Sequence, residues 1–217
     1  MRQPPHTRQP VGVHLIPSGT SLWHVWKQSL KVLARTAVTF NPTPSPTVLG
    51  GGRFDSLTAP NQNGYAYWYA AEDEETALVE QFLRNMPNEM QPPRHILRQK
   101  VAGAQIAEIR VLRDLALADL TGASLNAMGA GAWLTACEES DYLTCREWAK
   151  AIRGWAPHVD GLRWRSARNN NSHAIMLFDP PATETDLRVN SNAPLDTPLD
   201  IQQLNIVLEP HGAVIEP

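Results

Sequence analysis

The 217-residue chain has few cysteines and no long apolar run. Its two cysteines, Cys137 and Cys145, cannot make a disulfide framework, and their eight-residue separation matches no common zinc spacing. No apolar stretch reaches membrane-spanning length, and residues 1–10 are polar and proline-bearing, unlike a signal peptide. We therefore expect a cytoplasmic protein with no membrane association, in which both cysteines are ordinary thiols.

The chain also lacks an excess of positive charge, since its formal net charge is −3 and its pI is about 6.2. Such a chain has no general attraction for a polyanion, so direct nucleic-acid binding is not expected. The histidines show no metal-ligand spacing, and there is no His-Glu-x-x-His motif, so we expect no bound metal. The sequence also lacks Gly-x-Gly-x-x-Gly before a helix and Gly-x-x-x-x-Gly-Lys-Ser/Thr, which excludes a Rossmann site and a P-loop.

The apolar pattern predicts about nine short elements of strand type and two clear helices, in no regular alternation. The predicted strands are 21–26, 65–71, 97–101, 106–111, 115–120, 161–166, 174–178, 201–208 and 213–215. One predicted helix has the acids 72–75 in its first turn and carries Ala77, Leu78, Phe82 and Leu83, and the other covers 141–155. Segments 1–10 and 180–198 are expected to be irregular. This mixture favours an α+β fold over a doubly wound parallel sheet.

The most informative stretch runs from residue 50 to residue 80. It joins a glycine-rich loop ending in Gly51-Gly52-Arg53-Phe54, an aromatic strand around Tyr69, and a helix that carries Glu80. Glycines let the main chain approach a ligand closely, and arginine forks onto phosphate oxygens. Tyrosine rings cover a flat heterocycle, and a carboxylate can bind hydroxyl groups or stabilise a cation. Each part suits a nucleotide.

Three short motifs occur in a fixed order along the chain. They are Gly51-Gly52-Arg53-Phe54, then Tyr69-Ala70-Ala71 with Glu80 eleven residues beyond the tyrosine, and Gly161-Leu162-Arg163-Trp164-Arg165-Ser166 followed by the apolar segment 174–178. Together they resemble the RES domain family, which is named for an arginine, a glutamate and a serine, and these would be Arg53, Glu80 and Ser166 in this chain. The resemblance covers roughly residues 19–178.

The resemblance implies an ADP-ribosyltransferase-like fold, with two small sheets around an NAD cleft and flanking helices. Many members are toxins that degrade NAD by hydrolysis or phosphorolysis, and a helix-turn-helix antitoxin of Xre type restrains them. NAD would be a substrate rather than a cofactor, with inorganic phosphate as a possible second substrate. We expect residues 1–18 to be an irregular N-terminal segment, 19–180 the catalytic domain, and 181–217 a C-terminal extension packing on it.

The resemblance also implies roles for individual residues. Glu80 would stabilise positive charge on the ribose as nicotinamide leaves, and Arg53 would hold the pyrophosphate. Tyr69 would border the nicotinamide, and Ser166 would either bind substrate or align a neighbour. The family usually has another arginine on its first strand, where this chain has His24. A neutral histidine offers one donor where arginine offers five.

Several alternatives stay open at this stage. Tyr65 and Tyr67 share a strand face with Tyr69, so any of the three rings could meet the ligand. Arg163, Arg165 and Arg168 could bind free phosphate or form a solvated stripe. The acceptor could be water, phosphate or a protein side chain, the last giving a mono-ADP-ribosyltransferase. A non-catalytic module that binds a nucleotide or a partner is the remaining alternative.

Overall fold

A large sheet and a small sheet organise the chain in the computed structural model, which describes residues 3–27, 35–48, 50–86 and 90–216. The strands are β1 Val13–Ile16, β2 Ser21–Lys27, β3 Ala66–Ala71, β4 Arg94–Ile96, β5 Ala104–Val111, β6 Leu115–Leu120, β7 Gly161–Arg165, β8 His173–Asp179, β9 Leu187–Pro194 and β10 Ala213–Ile215. The α-helices are α1 Glu74–Leu83, α2 Arg98–Val101, α3 Gly122–Ala127, α4 Trp133–Ala136, α5 Tyr142–Trp155 and α6 Pro198–Leu208.

The large sheet has eight strands in the order β1-β6-β7-β8-β3-β2-β5-β9. Its pairs are antiparallel except for β6 with β7, while β10 and β4 form a parallel two-stranded sheet. The predicted α+β class is confirmed. The expected pair of small sheets is wrong, because eight strands join in one curled sheet and two remain apart. The strand order places β2, β3, β8 and β7 side by side at the centre.

Side chains of β3 point alternately to the two faces of the large sheet, which separates two parts of the core. Tyr65 and Tyr67 pack on one face with residues of α5, while Trp68 packs on the other face against Phe40 and Ala107. A third cluster joins α1 and α6 and includes Leu78. Because side chains alternate along a strand, the aromatic run serves two cores at once.

Helix α1 begins where the sequence predicts. The Asp73 side chain caps it by accepting the Thr76 backbone N–H at 2.7 Å, and Glu74 and Glu75 lie in its first turn, where they favour the positive helix end. Its buried face includes Leu78, and Glu80 lies half-buried beside that face. No α-helix in the described part of the chain is long and apolar enough to cross a membrane.

Two predicted strands are wrong. Residues 97–101 form a single helical turn, α2, after the short strand β4. Residues 201–208 belong to α6, whose N-terminus is fixed by a capping box between Thr197 and Asp200 with Pro198 at the first helical position. The buried Leu204 and Leu208 lie one helical turn apart on α6. Short apolar runs do not distinguish a strand from a buried helix.

Two segments expected to be irregular also contain strands. Val13–Ile16 pairs with β6, so residues 1–18 are not irregular throughout. Leu187–Pro194 pairs with β5 at the edge of the large sheet, within the stretch 180–198. Proline and polar residues are tolerated there because one side of an edge strand faces solvent. The predicted strands 106–111 and 115–120, the pair β7 and β8, and the helix 141–155 are confirmed within a residue or two.

Candidate functional site

Arg53 and Glu80 line the same cavity, called cavity A here, although they come from separate segments. The other residues that line it include Tyr69, His24 and Trp164. Its walls come from β2, β3, α1, β7 and the glycine-rich loop. Cavity A therefore brings together four of the five predicted site residues.

The glycine-rich loop places Arg53 by a close approach to β3. A Cβ at Gly52 would lie 2.6 Å from the Tyr69 hydroxyl oxygen, closer than any side chain allows, and Gly51 has a φ of +77°. Position 52 therefore requires glycine because no side chain fits, and position 51 favours glycine because of its positive φ. The loop therefore packs directly against the aromatic strand.

Asp55, which the sequence analysis did not single out, anchors this loop to β3. Its buried carboxylate accepts hydrogen bonds from the Gly52 backbone N–H at 2.7 Å and the Ser45 hydroxyl at 2.8 Å. It also accepts from the hydroxyl groups of Tyr67 at 2.9 Å and Tyr69 at 2.8 Å. Four donors around one carboxylate hold the loop and the tyrosines in a fixed relation.

Arg146 on α5 holds the same loop from its other side. This fully buried guanidinium donates to the carbonyl oxygens of Gly52 at 3.0 Å, Ser45 at 2.7 Å and Gly50 at 2.7 Å, and also to Thr47. Five N–H donors in a rigid fork suit a cluster of carbonyl oxygens. Only the tertiary structure identifies this residue, because it lies 94 residues from Gly52.

Arg53 itself is buried and retains free donor capacity. Its Nη2 donates to the Cys137 carbonyl oxygen at 3.3 Å, and its guanidinium carbon lies 5.7 Å from the centre of the Tyr142 ring. Its Nε has no hydrogen-bond partner among the described residues. A buried donor without a partner is costly, so this atom favours an acceptor from a ligand.

Two other residues that line cavity A also have a buried N–H group without a partner among the described residues. Arg84 Nε and Trp164 Nε1 are buried and have no hydrogen-bond partner in the described part of the chain. Arg84 was not predicted as a site residue, although its position one helical turn beyond Glu80 is the sequence signal that could have found it. Three N–H donors, two of them on cations, therefore belong to residues that surround one cavity.

The hydroxyl group of Ser166 orients Glu80. It donates to Glu80 Oε1 at 2.5 Å and accepts the backbone N–H groups of Arg168 at 3.0 Å and Asn169 at 2.9 Å. A hydroxyl has one hydrogen to donate. Since Arg168 and Asn169 both donate to the Ser166 oxygen, that hydrogen goes to the Glu80 carboxylate. Ser166 is buried and is not among the residues lining cavity A. Of the two roles left open, this geometry supports alignment of a neighbour.

Among the three tyrosines, Tyr69 lines cavity A. The Tyr65 hydroxyl is used inside the fold, donating to the Phe54 carbonyl oxygen at 2.9 Å. Burial and the nearby Asp55 carboxylate raise the pKa of Tyr69 well above its usual value, so its phenol stays neutral. The Tyr69 ring stands nearly perpendicular to the Trp164 ring, with centroids 6.2 Å apart.

His24 both packs in the core and lines cavity A. Its ring centre lies 5.0 Å from that of Trp68, and the residue is 9% exposed. Burial lowers the pKa of His24 to about 4, against a hydrogen bond with the Tyr69 backbone that raises it. The imidazole is therefore neutral at pH 7 and supplies no positive charge to replace the arginine usual in the family.

The three candidate phosphate-binding arginines lie in different places. Arg163 is paired with Glu72, its Nε donating to Oε1 at 2.6 Å. Arg165 donates to the Asn170 carbonyl oxygen at 2.6 Å on an exposed turn. Arg168 lines a second cavity, called cavity C, which it shares with Arg53, Arg84, Cys137 and Glu138.

A third cavity, called cavity B, adjoins cavity A. The two share His24, Val25, Tyr69, Gln81 and Arg84, and cavity B continues to residues that include Arg35, Asn41, Thr43, Ser45, Asp55 and Tyr67. Because the two cavities share walls, they form one extended cleft. The cavity A end is lined by Arg53, Glu80 and aromatic rings, and the cavity B end is lined mainly by polar groups. This shape suits a ligand with two linked parts.

Comparison with known proteins identifies a family and solved structures with a similar fold. The family model described as RES domain matches residues 21–199. A chain in the crystal structure of the M. tuberculosis MbcT-MbcA toxin-antitoxin complex is similar, with a TM-score of 0.58 and 16% sequence identity over 88% of this chain and 91% of that chain. At this identity the likeness shows a shared fold. None of the curated proteins compared matches the chain.

Proposed function

The chain belongs to the RES domain family, and we propose that it is an NAD-degrading toxin of a toxin-antitoxin system, with ADP-ribosyltransferase-like cleavage of the nicotinamide–ribose bond. The observation that carries this proposal is the shared cavity of Arg53 and Glu80, whose lining residues carry three buried N–H donors with no partner among the described residues. A cationic pocket with one oriented carboxylate suits a substrate with an anionic centre and a cationic leaving end.

The pyrophosphate would bind to the arginines. Arg53 and Arg84 both line cavity A, and each has a buried Nε free of partners among the described residues. A phosphate oxygen offers these donors an acceptor, and charge-assisted hydrogen bonds of this kind are the strong ones. Because Asp55 and Arg146 fix the loop that carries Arg53, the guanidinium is positioned before the substrate arrives.

Glu80 would act at the ribose carbon that bears nicotinamide. As the C–N bond breaks, its electron pair leaves with nicotinamide as a neutral pyridine, and the ribose carbon gains oxocarbenium character. A fixed carboxylate beside that carbon stabilises the developing positive charge, a contribution on the order of 3 to 4 kcal/mol for one such group. Ser166 holds Glu80 Oε1, which leaves Oε2 to face the ribose.

The aromatic walls would hold the nicotinamide. Tyr69 and Trp164 line cavity A with their rings nearly perpendicular, which allows one ring to stack on the pyridine while the other meets its edge. Neutral His24, at the same wall, donates its one N–H to the Tyr69 backbone, which leaves the other ring nitrogen to accept a hydrogen bond from a ribose hydroxyl. The adenosine half would extend into cavity B.

The partner we propose is a protein antitoxin with a helix-turn-helix domain of Xre type. Its support is the shared fold with a chain of the MbcT-MbcA toxin-antitoxin complex together with membership in the RES family. Cells expressing the chain alone should lose NAD and stop growing. Unchanged NAD in such cells would contradict the toxin proposal even if the purified protein bound NAD.

The experiment that tests the reaction is incubation of purified protein with adenine-labelled NAD, with and without inorganic phosphate, followed by separation of the products. Nicotinamide release with labelled ADP-ribose indicates hydrolysis, a phosphorylated ADP-ribose that needs added phosphate indicates phosphorolysis, and label in protein indicates ADP-ribosylation. Binding of NAD with no nicotinamide release under any condition would overturn the enzyme proposal in favour of a binding module.

A further inference from the structure

Cys137 and Cys145 meet directly behind Arg53. The two Sγ atoms are 2.7 Å apart, Cys137 following α4 and Cys145 lying in α5. Cys145 is fully buried, whereas Cys137 is partly exposed and lines cavity C together with Arg53 and Arg84. The sequence predicted two ordinary thiols, and both are free in the structure, where they lie side by side with Cys137 partly exposed.

The two thiols are chemically unequal. The hydrogen bond from Cys145 lowers the pKa of Cys137, and the Arg53 guanidinium lowers it further against the effect of burial. The same contact and burial raise the pKa of Cys145. These shifts favour the thiolate on Cys137 and the thiol on Cys145, which matches the roles of an attacking and a resolving cysteine.

We propose that Cys137 and Cys145 form a reversible oxidation site that reacts with a hydroperoxide. The Cys137 thiolate attacks the terminal peroxide oxygen and the O–O bond breaks, which gives a sulfenic acid. The other oxygen leaves, takes up a proton and becomes water from hydrogen peroxide or an alcohol from an organic hydroperoxide. Cys145 then attacks the Cys137 sulfur, and the hydroxyl group leaves as water with the Cys145 proton. The Sγ atoms must approach by about 0.7 Å to reach the length of a disulfide bond.

The pair contacts Arg53 through both of its segments. The Cys137 carbonyl oxygen accepts from Arg53 Nη2 at 3.3 Å, and Tyr142, on the first turn of α5, lies under the guanidinium. In the reduced protein the thiolate form of Cys137 competes with an anionic ligand for Arg53, and a disulfide has no such form. Oxidation should therefore tighten the binding of an anionic substrate, a consequence that rests on the proposed function.

Mass spectrometry tests the oxidation site itself. The protein is treated with hydrogen peroxide, denatured, alkylated with N-ethylmaleimide and analysed intact and as peptides. We expect a loss of two hydrogens, no alkylation, a peptide cross-link between Cys137 and Cys145, and full recovery with dithiothreitol. Cys137→Ser and Cys145→Ser should each give no internal cross-link. Free alkylation of both cysteines after peroxide, or cross-links only between chains, would overturn the proposal.

Substrate affinity tests the connection to Arg53. The KM for NAD should fall about threefold on oxidation, because oxidation removes the thiolate form of Cys137 beside the buried Arg53 guanidinium. Cys137→Ser, which carries no charge, should show the low KM in both conditions. A disulfide with unchanged KM would refute the effect on Arg53 while the oxidation site stands. If no form releases nicotinamide, the proposed reaction fails, and the NAD dissociation constant measured by calorimetry decides the same comparison.

Discussion

Ser166 donates its hydroxyl hydrogen to Glu80 at 2.5 Å across 86 residues of sequence. Backbone N–H groups of Arg168 and Asn169 occupy the acceptor side of the same hydroxyl, so the direction of this bond is fixed. The serine and the glutamate of the family motif thus act as one unit, in which the buried residue sets the orientation of the one that faces the cavity.

Removing this hydroxyl tests that unit. Ser166→Ala should lower kcat for nicotinamide release about 10-fold to 100-fold with little change in KM, because the lost bond is to a carboxylate and Ser166 does not line cavity A. Steady-state kinetics measure both parameters. Ser191→Ala, on the exposed strand β9, is the matched control and should leave both unchanged. A rise in KM at constant kcat would instead mean that Ser166 binds substrate.

Substitutions of Arg53 and of Glu80 should change different kinetic parameters. Glu80→Gln keeps the shape but not the charge, so kcat should fall about 100-fold to 1,000-fold. Arg53→Lys keeps the charge but loses the fork, so kcat/KM should fall about 10-fold to 100-fold, mainly through KM. Initial rates over a range of NAD concentrations separate the two. Wild-type activity in both variants would refute the site.

Arg84 should contribute to binding rather than to the chemical step. Arg84→Gln is expected to raise the KM for NAD about 10-fold at nearly constant kcat, because it removes one charge-assisted contact to the pyrophosphate. The control is Arg165→Gln, since Arg165 is exposed and is not among the residues that line cavity A. Equal KM values in the two variants would show that Arg84 does not meet the substrate.

Asp55→Asn should destabilise the fold at the glycine-rich loop. The amide cannot accept from all four donors that the carboxylate now satisfies, and a loss of about 2 to 4 kcal/mol in unfolding free energy is expected. Urea denaturation at pH 7 measures it. Ser45→Ala, which removes one of the four donors, should cost about 1 kcal/mol. A variant as stable as wild type would contradict the anchoring role.

His24 should make stability depend on pH. Its pKa is lowered to about 4 in the folded state from 6.5, so stability is fully present above pH 6.5 and is lost as pH falls toward 4. At pH 5 the loss relative to pH 7 should be about 2 kcal/mol from this residue. The unfolding free energy of His24→Gln should fall less between pH 7 and pH 5, by the amount that His24 contributes in the wild type. Parallel curves for the two proteins in urea denaturation at both pH values would contradict the shift.

Local chemistry explains which elements could be read from the sequence. The run 115–120 is β6 to the residue, and Asp73 with the acids after it marks the start of α1, because capping and alternation act between near neighbours. Residues 201–208 were assigned the wrong element because a short apolar run fits either type, and the capping box at Thr197 settles it. The edge strands β1 and β9 depend on partners elsewhere in the chain.

The sequence by itself determined the α+β class, the family resemblance and the motif residues Arg53, Glu80 and Ser166, because short motifs and local periodicity are properties of neighbouring residues. Only the tertiary structure decided that Asp55 and Arg146 clamp the arginine loop, that Arg84 shares the cavity, and that two thiols touch behind it. The physical reason is that these contacts depend on the order of strands in the sheet and on helix packing. Neither is encoded in the spacing of residues along the chain.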